Sequence, residues 1–414
     1  MIEIEEKSER ALLVGVETFE NAATFASTFE ELASLALTAG AEVVAMATQK
    51  LAQPNARTFV GSGKLEELIM TVDSREIDTV IFNARLSPRQ NVALEDALGV
   101  KVIDRMQLIL DIFAMRARSQ EGMLQVEQAQ LTYLKPRLTG RGVALSRQAG
   151  GIGSKGPGES KLEIDRRHIE GRIEDIEKKL KKIEKSRDLA RKKRLNSGIF
   201  KIGLIGYTNA GKSSILNALV DAKQKQYEKN ELFATLDATT KVIRLKDEFS
   251  VSLTDTVGFI QDLPTELIKA FKSTLEESAN VDLLVHVVDA SNPHHAAHEQ
   301  TVLQLLQELE MDKIPQLVIY NKMDKAPVDF AYTITPAVEL SIKSENGPMV
   351  FRQAILSELD QLFVKFECEL PYSLAYKLPE LKQIALVDNL VEGETGYQIS
   401  GRIAPSLAWK LKEY

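Results

Sequence analysis

Short apolar runs and stretches of helical period alternate along the first hundred residues. Ala11–Val16, Glu42–Ala47, Thr79–Phe82 and Lys101–Ile103 read as strands. Between them, near Thr24–Leu37, Gly63–Val72 and Ser87–Ala97, apolar positions recur at the three- and four-residue spacing of a helix with one buried face. This rhythm predicts an α/β domain with a parallel sheet over residues 1–115. Residues 119–136 then read as a helix, a glycine-rich stretch follows, and a second long helix starts near Glu159. In that second helix Leu162, Ile169, Ile176 and Ile183 fall seven apart, with Ile173 and Leu180 interleaved. Such a heptad seam is too short to stand alone, so it predicts an antiparallel hairpin with the preceding helix, spanning 116–197.

Beyond Asn196-Ser197-Gly198 the pattern changes to fully apolar strands. Ile199–Ile205 leads into a polar loop and a helix over Ser213–Val220, and Val251–Leu253, Leu283–Val288 and Gln316–Tyr320 each run into a polar motif. An open parallel sheet places its ligands at such strand ends. Residues 198–365 are therefore expected to be a nucleotide-binding domain. Residues 366–414 mix short strand-like and helical patterns, expected to be a small α/β C-terminal domain without assignable chemistry. The fold class is thus α/β: a parallel-sheet P-loop domain preceded by an α/β domain and a helical hairpin, and followed by a small accessory domain.

Composition adds three constraints. No apolar run approaches the roughly 18 residues that span a bilayer, and the amino terminus, Met1-Ile2-Glu3-Ile4-Glu5-Glu6, lacks the charge and apolar order of a signal peptide. The single cysteine, Cys368, excludes an intramolecular disulfide and a cysteine-rich zinc site, so a cytoplasmic chain is expected. The net charge of −7 is uneven: residues 1–115 carry −8, residues 116–197 carry +10 and residues 198–414 carry −9. A basic segment between acidic ones points to RNA. Within it the glycine-rich tip, Gly150 to Gly158, could bring backbone amides close to phosphates, with Arg141, Arg147 and Lys155 supplying charge.

Two motifs carry the chemistry. Gly206-Tyr207-Thr208-Asn209-Ala210-Gly211-Lys212-Ser213 fits the GxxxxGK[ST] phosphate loop, whose amides cradle phosphates whatever the base. Downstream, Asn321-Lys322-Met323-Asp324 adds a carboxylate able to accept the N1 and N2 protons of guanine, which adenine cannot match. Together they predict GTP binding. Lys212 is expected to reach the β- and γ-phosphates and Ser213 to place its hydroxyl on Mg²⁺. Asp255, opening Asp255-Thr256-Val257-Gly258 after a strand, is expected to hold the metal's water shell, and the Gly258 amide to sense the γ-phosphate. Phe233-Ala234-Thr235-Leu236-Asp237-Ala238-Thr239-Thr240 lies between them, and its composition leaves Thr235, Thr239 and Thr240 equal candidates for a switch hydroxyl.

GYTNAGKS, FATLD, DTVGFIQDLP and NKMD in this order resemble the HflX family of ribosome-binding GTPases. So do Gln125-Val126-Glu127-Gln128-Ala129-Gln130-Leu131, LSRQAGGIGSKGPGES and Asp165-Arg166-Arg167 upstream. The resemblance covers about residues 10 to 365. It implies that the α/β domain and hairpin engage the large ribosomal subunit, that Thr235 is the switch threonine on Mg²⁺, and that Ser341-Ile342-Lys343 cradles guanine. Two positions depart from the family pattern: Ala238 stands where proline is common, and Ile342 where alanine is.

Phe259 follows Gly258, where Ras-type GTPases carry the glutamine that orients the attacking water. A phenyl ring can neither donate to that water nor accept from it. Unassisted hydrolysis is therefore expected to be slow, near the order of 10⁻⁴ s⁻¹. His294, His295 and His298 form an HHxxH cluster, but no acidic or thiol set completes a metal site, so a surface helix start is expected. The resulting expectation is a monomeric GTP hydrolase that binds the large ribosomal subunit and its RNA in the GTP state, and remodels or splits stalled or idle ribosomes. The competing expectations are a subunit-assembly factor, an RNA-binding partner without a ribosomal role, and a membrane-associated regulator. Stable membrane insertion is not expected, because the apolar seam is committed to helix pairing.

Overall fold

The computed structural model describes residues 8–146, 157–194, 198–220, 239–256, 258–261 and 281–413, with the backbone alone at 139–146, 157–163, 187–194 and 413. These residues group into two compact units that meet along the chain near Ile183 and Glu184.

In the first unit, β1 (Arg10–Glu17), β2 (Glu42–Lys50), β3 (Thr79–Phe82) and β4 (Lys101–Asp104) form a parallel sheet in the order β2-β1-β3-β4. β1 is buried from Ala11 to Val14, as expected of a strand covered on both faces. On one face Leu12, Val14 and Phe82 pack with Leu68 and Val72 of α2 (Ser62–Arg75) and Leu94 and Leu98 of α3 (Pro88–Leu98). α3 starts at a capping box, in which Ser87 Oγ accepts from the Gln90 amide and Gln90 Oε1 from the Ser87 amide, with Pro88 in the first turn. α1 (Phe25–Thr38) and α4 (Arg105–Arg116) complete this set of helices.

Asp104 joins the sheet to the helices that follow. It is fully buried, and it caps α4 by accepting from the Gln107 amide (2.9 Å). It also accepts from the Leu86 amide (3.0 Å), Tyr133 Oη (2.7 Å) and Arg137 Nη2 (2.8 Å). Tyr133 and Arg137 sit one turn apart on α5 (Gln120–Ser146), and the Arg137 guanidinium lies 3.5 Å over the Tyr133 ring. Burial, and then the Asp104 charge, push the Tyr133 hydroxyl far above its ordinary range, so it stays a donor. α6 (Pro157–Arg194) runs back along α5 as the heptads predict: Ile176 is fully buried, and Arg172 forks onto Glu127 (2.7 and 2.8 Å) while Lys135 meets Glu170 (3.0 Å). These pairs are exposed and screened by solvent, so they set register more than stability.

The second unit holds a mixed sheet in the order β10-β9-β8-β5-β7-β6. β5 (Phe200–Ile205), β7 (Phe249–Asp255), β8 (Leu283–Asp289), β9 (Gln316–Asn321) and β10 (Ala337–Glu339) are parallel, and β6 (Thr239–Lys246) is an antiparallel edge. β6 was absent from the expected strands because only Ile243 and Leu245 on it are buried, which leaves a weak pattern. The associated helices include α7 (Lys212–Leu219), α8 (His295–Glu308) and α9 (Gly347–Leu362).

After α9 come β11 (Val364–Pro371), the short helix α10 (Leu378–Ile384), β12 (Ala385–Glu392) and β13 (Gly396–Ile403), which form an antiparallel sheet in the order β11-β13-β12. Its Phe366, Leu370, Leu386, Ile399 and Ile403 belong to one continuous core with Phe200, Val251 and Ile355. The Phe363 ring stands edge-on to Phe200 (5.2 Å) and Phe249 (6.0 Å). Residues 366 onward, which the sequence pattern sets apart, thus close the core of the preceding domain.

Candidate nucleotide site

β5, β7, β8 and β9 are neighbours and parallel, so the loops leaving their carboxyl ends line one edge of the sheet. β5 ends at Ile205 and the chain turns through Gly206–Gly211 into α7. Gly211 is the N-cap residue at φ 101°, and a Cβ there would lie 2.3 Å from Asn321 Nδ2, so no other residue fits. The start of α7 presents free amides and the positive end of the helix dipole, which suits an anion.

Lys212, the first residue of α7, is 6% exposed; its Nζ donates to the carbonyls of Gly206 (3.0 Å) and Tyr207 (2.8 Å). Burial lowers its pKa to about 8, against the opposing pull of Asp255. Ser213 Oγ donates to Asp255 Oδ2 (2.6 Å) at the end of β7. A hydroxyl beside a carboxylate is a donor set for a hard cation such as Mg²⁺. Thr256 Oγ1 donates to the Leu204 carbonyl (2.7 Å), which fixes the start of the segment after Asp255.

That segment folds onto the phosphate loop. The Phe259 amide donates to the Gly206 carbonyl (3.2 Å) and the Thr208 amide to the Phe259 carbonyl (2.7 Å), as a short parallel bridge. The Phe259 side chain is buried. Tyr207 Oη accepts from the Gln261 amide (2.6 Å), and the Tyr207 ring stacks flat on His298 of α8, with centroids 3.6 Å apart. His298 is therefore a packing partner of the loop rather than the surface residue its sequence suggests. Burial lowers its pKa to about 4. His295 packs on Phe330 (4.7 Å), and among the described residues no cluster of three or more His, Cys, Asp or Glu side chains is placed to hold a metal ion.

At the end of β9, Asn321 ties the loops together. Its Nδ2 donates to the Ala210 carbonyl (3.0 Å) and its Oδ1 accepts from the Ile342 amide (3.2 Å). Lys322, at φ 63°, ion-pairs with Asp289 at the end of β8 (2.7 Å). The Met323 amide donates to the Leu340 carbonyl (3.2 Å), and the Asp324 amide to Ser341 Oγ (2.9 Å), leaving the Asp324 side chain exposed. Ile342 is buried in the core, so its apolar side chain serves packing while its amide serves Asn321; Lys343 is exposed. The structure thus gathers Gly206–Ser213, Asp255, Thr256, Gly258, Asn321–Asp324 and Ser341–Lys343 at one sheet edge. Phe233, Ala234, Thr235, Leu236, Asp237, Val257, Arg147 and Lys155 lie outside the described residues, as does the Arg141 side chain. Sequence reasoning missed Asp289, Gln261 and the use of His298. Only Asp289 carries a signal, as a polar residue ending an apolar strand.

Comparison with known proteins accounts for this arrangement. Three family models match successive parts of the chain: "GTP-binding GTPase N-terminal" at residues 26–114, "GTP-binding GTPase Middle Region" at 116–194 and "50S ribosome-binding GTPase" at 201–322. The GTPase HflX of Alkalihalophilus pseudofirmus is 44% identical over 98% of this chain and 96% of its own. That of Caldanaerobacter subterraneus is 43% identical over 100% and 95%. Among solved structures, a GTP-binding protein from Sulfolobus solfataricus in complex with GDP is similar over 86% of this chain and 99% of its own, at 24% identity and a TM-score of 0.46. With identity above 40% sustained along the whole chain, the protein belongs to the HflX family of GTPases and hydrolyses GTP.

Proposed function

We propose that this GTPase is a ribosome-gated switch. Its GTP form engages the large ribosomal subunit and ribosomal RNA through residues 1–197, remodels or splits stalled or idle ribosomes in the cytoplasm, and hydrolyses GTP when the subunit completes the site. Lys212 and the amides of the phosphate loop hold the β- and γ-phosphates, and Asp324 accepts from the guanine edge with Ser341–Lys343 alongside. Ser213, together with Thr235, would hold Mg²⁺ near Asp255, and the ion would supply neutralisation of phosphate charge. The family model described as a 50S ribosome-binding GTPase and the +10 charge of residues 116–197 support the choice of partner.

The observation that carries the gating is Phe259. Its ring is buried and its backbone is tied to the phosphate loop, so the position after Gly258 offers nothing to orient the attacking water. A partner must supply that group. The test is GTP turnover by the purified protein with and without purified large subunits. We expect a slow basal rate rising at least roughly tenfold, about 1.4 kcal/mol off the barrier. A rate indifferent to subunits would overturn the gating.

A further inference from the structure

We propose that Asp289 is a positioning residue for guanine-nucleotide binding: it holds the Lys322 side chain across the end of β8, as a preformed floor beneath the nucleoside. The inference rests on the reading of Asn321–Asp324 as the base-recognising turn and of Gly206–Ser213 as the phosphate loop.

Strand order decides what lies between the two halves of the ligand. β8 stands between β5 and β9 in the sheet. The phosphate loop leaves the end of β5, and the base-recognising turn begins at Asn321, the last residue of β9. A nucleotide with its phosphates on the first and its base at the second therefore passes over the end of β8. That end is Asp289, which sits opposite Asn321 in the register of the two strands. Asp289 Oδ2 accepts from Lys322 Nζ at 2.7 Å, so the four methylenes of the lysine run from the β9 turn toward β8, across that path. The side chains of Lys322 and Asp289 are 26% and 16% exposed, enough for the stem to meet a ligand while the ion pair stays sheltered.

The carboxylate is itself fixed. Its Oδ1 accepts from the Ser291 amide (3.0 Å) and the Ser291 hydroxyl (2.6 Å), and the next residue, Ala290, donates its amide to the Asn321 carbonyl (2.9 Å). Lys322 stands at φ 63°, a backbone that a lysine keeps only where its surroundings hold it. A free lysine stem samples many rotamers, and a ligand settling on it must order them. Tied to Asp289 beforehand, the stem offers its apolar methylenes to a flat ring without that loss, while the ammonium remains on its carboxylate. A floor does not read the edge of the base, so Asp289 sets how tightly a guanine nucleotide is held and leaves base selection to Asp324.

The measurement is GDP affinity of the full chain, by equilibrium titration with fluorescent GDP well below the unfolding midpoint. In Asp289→Asn the one amide oxygen turns to the two Ser291 donors and the NH₂ faces the ammonium, from which it cannot accept. We expect affinity to fall about three- to tenfold. The second arm repeats the substitution in a Lys322→Met background, which keeps a straight apolar stem but has no ammonium to hold. There Asp289→Asn should weaken GDP by less than about twofold, a non-additivity that general damage would not produce. The same factor in both backgrounds overturns the proposal. So does an unchanged GDP affinity in Asp289→Asn, which would leave the pair as a strap between strands, visible only in the unfolding midpoint. Ser291→Ala removes one tie from the carboxylate; it should act the same way by about two- to threefold, and it carries the test should Asp289→Asn not fold. Asp324→Asn separates the two levels of inference. If it leaves GDP affinity intact, the base reading itself has failed. If it weakens GDP while Asp289→Asn does not, only the positioning has failed.

Discussion

Asp104 ends a strand and Asp324 lies in the turn just after one, and their surroundings give the two carboxylates opposite work. Asp104 is fully enclosed and accepts from two amides, a phenol and a guanidinium, so it is a structural joint. Asp104→Ala should strand the largely buried Arg137 and cost about 3–5 kcal/mol, read as a lower urea midpoint of the first unit. A loss under about 1 kcal/mol would mean the joint is ornamental. Asp324 has its backbone tied and its side chain exposed, as a base-recognising group needs. Asp324→Asn should lower GTP affinity at least about a hundredfold, because an amide cannot accept both guanine protons, and it should improve binding of xanthosine triphosphate. Equal loss of both nucleotides would count against base recognition by this side chain. At this scale the sequence was legible where chemistry is local: eight consecutive residues announce a phosphate loop. It was silent where partners meet only in the fold, as with Tyr207 and His298 or Asp104 and Tyr133, because neither spacing nor residue type records those contacts.

Among elements, β8 has the most telling composition. It is a central strand, apolar from Leu283 to Val288 apart from His286, which is 1% exposed and whose Nδ1 finds no partner among the described residues. Burial, with the Lys212 charge adding to it, lowers the His286 pKa to about 4. Above pH 6.5 the imidazole is neutral in folded and unfolded chains alike. Between pH 6.5 and 4 the unfolded chain takes up the proton first, so stability falls with pH, by about 3 kcal/mol over the interval. His286→Leu should flatten the decline of the denaturation midpoint over that window. An identical decline in variant and parent would show that the histidine does not feel its burial. Strands such as β8 were readable to within a residue or two because they are apolar on both faces. Strand β6, polar on one face, and α9, whose apolar stripe gathers only in the assembled core, were not.

At the scale of the molecule the shared core of the second unit decides what can be separated. Residues of β11, β12 and β13 share one core with Phe200, Phe249, Ile355 and Leu359, so a chain ending at Phe363 exposes an apolar face that reaches the first residue of the strand leading into the phosphate loop. Such a chain should lose its cooperative thermal transition in this unit and its nucleotide binding together, as calorimetry and titration would show. Retention of full GTP affinity would mean that the late sheet is an accessory after all. The shared core also imposes an order in time. Synthesis proceeds from the amino terminus, and every residue of the nucleotide site emerges before Val364. Until the three last strands follow, the core they share with the parallel sheet is incomplete. A nascent copy is therefore expected to gain GTP binding only once β13 has been made.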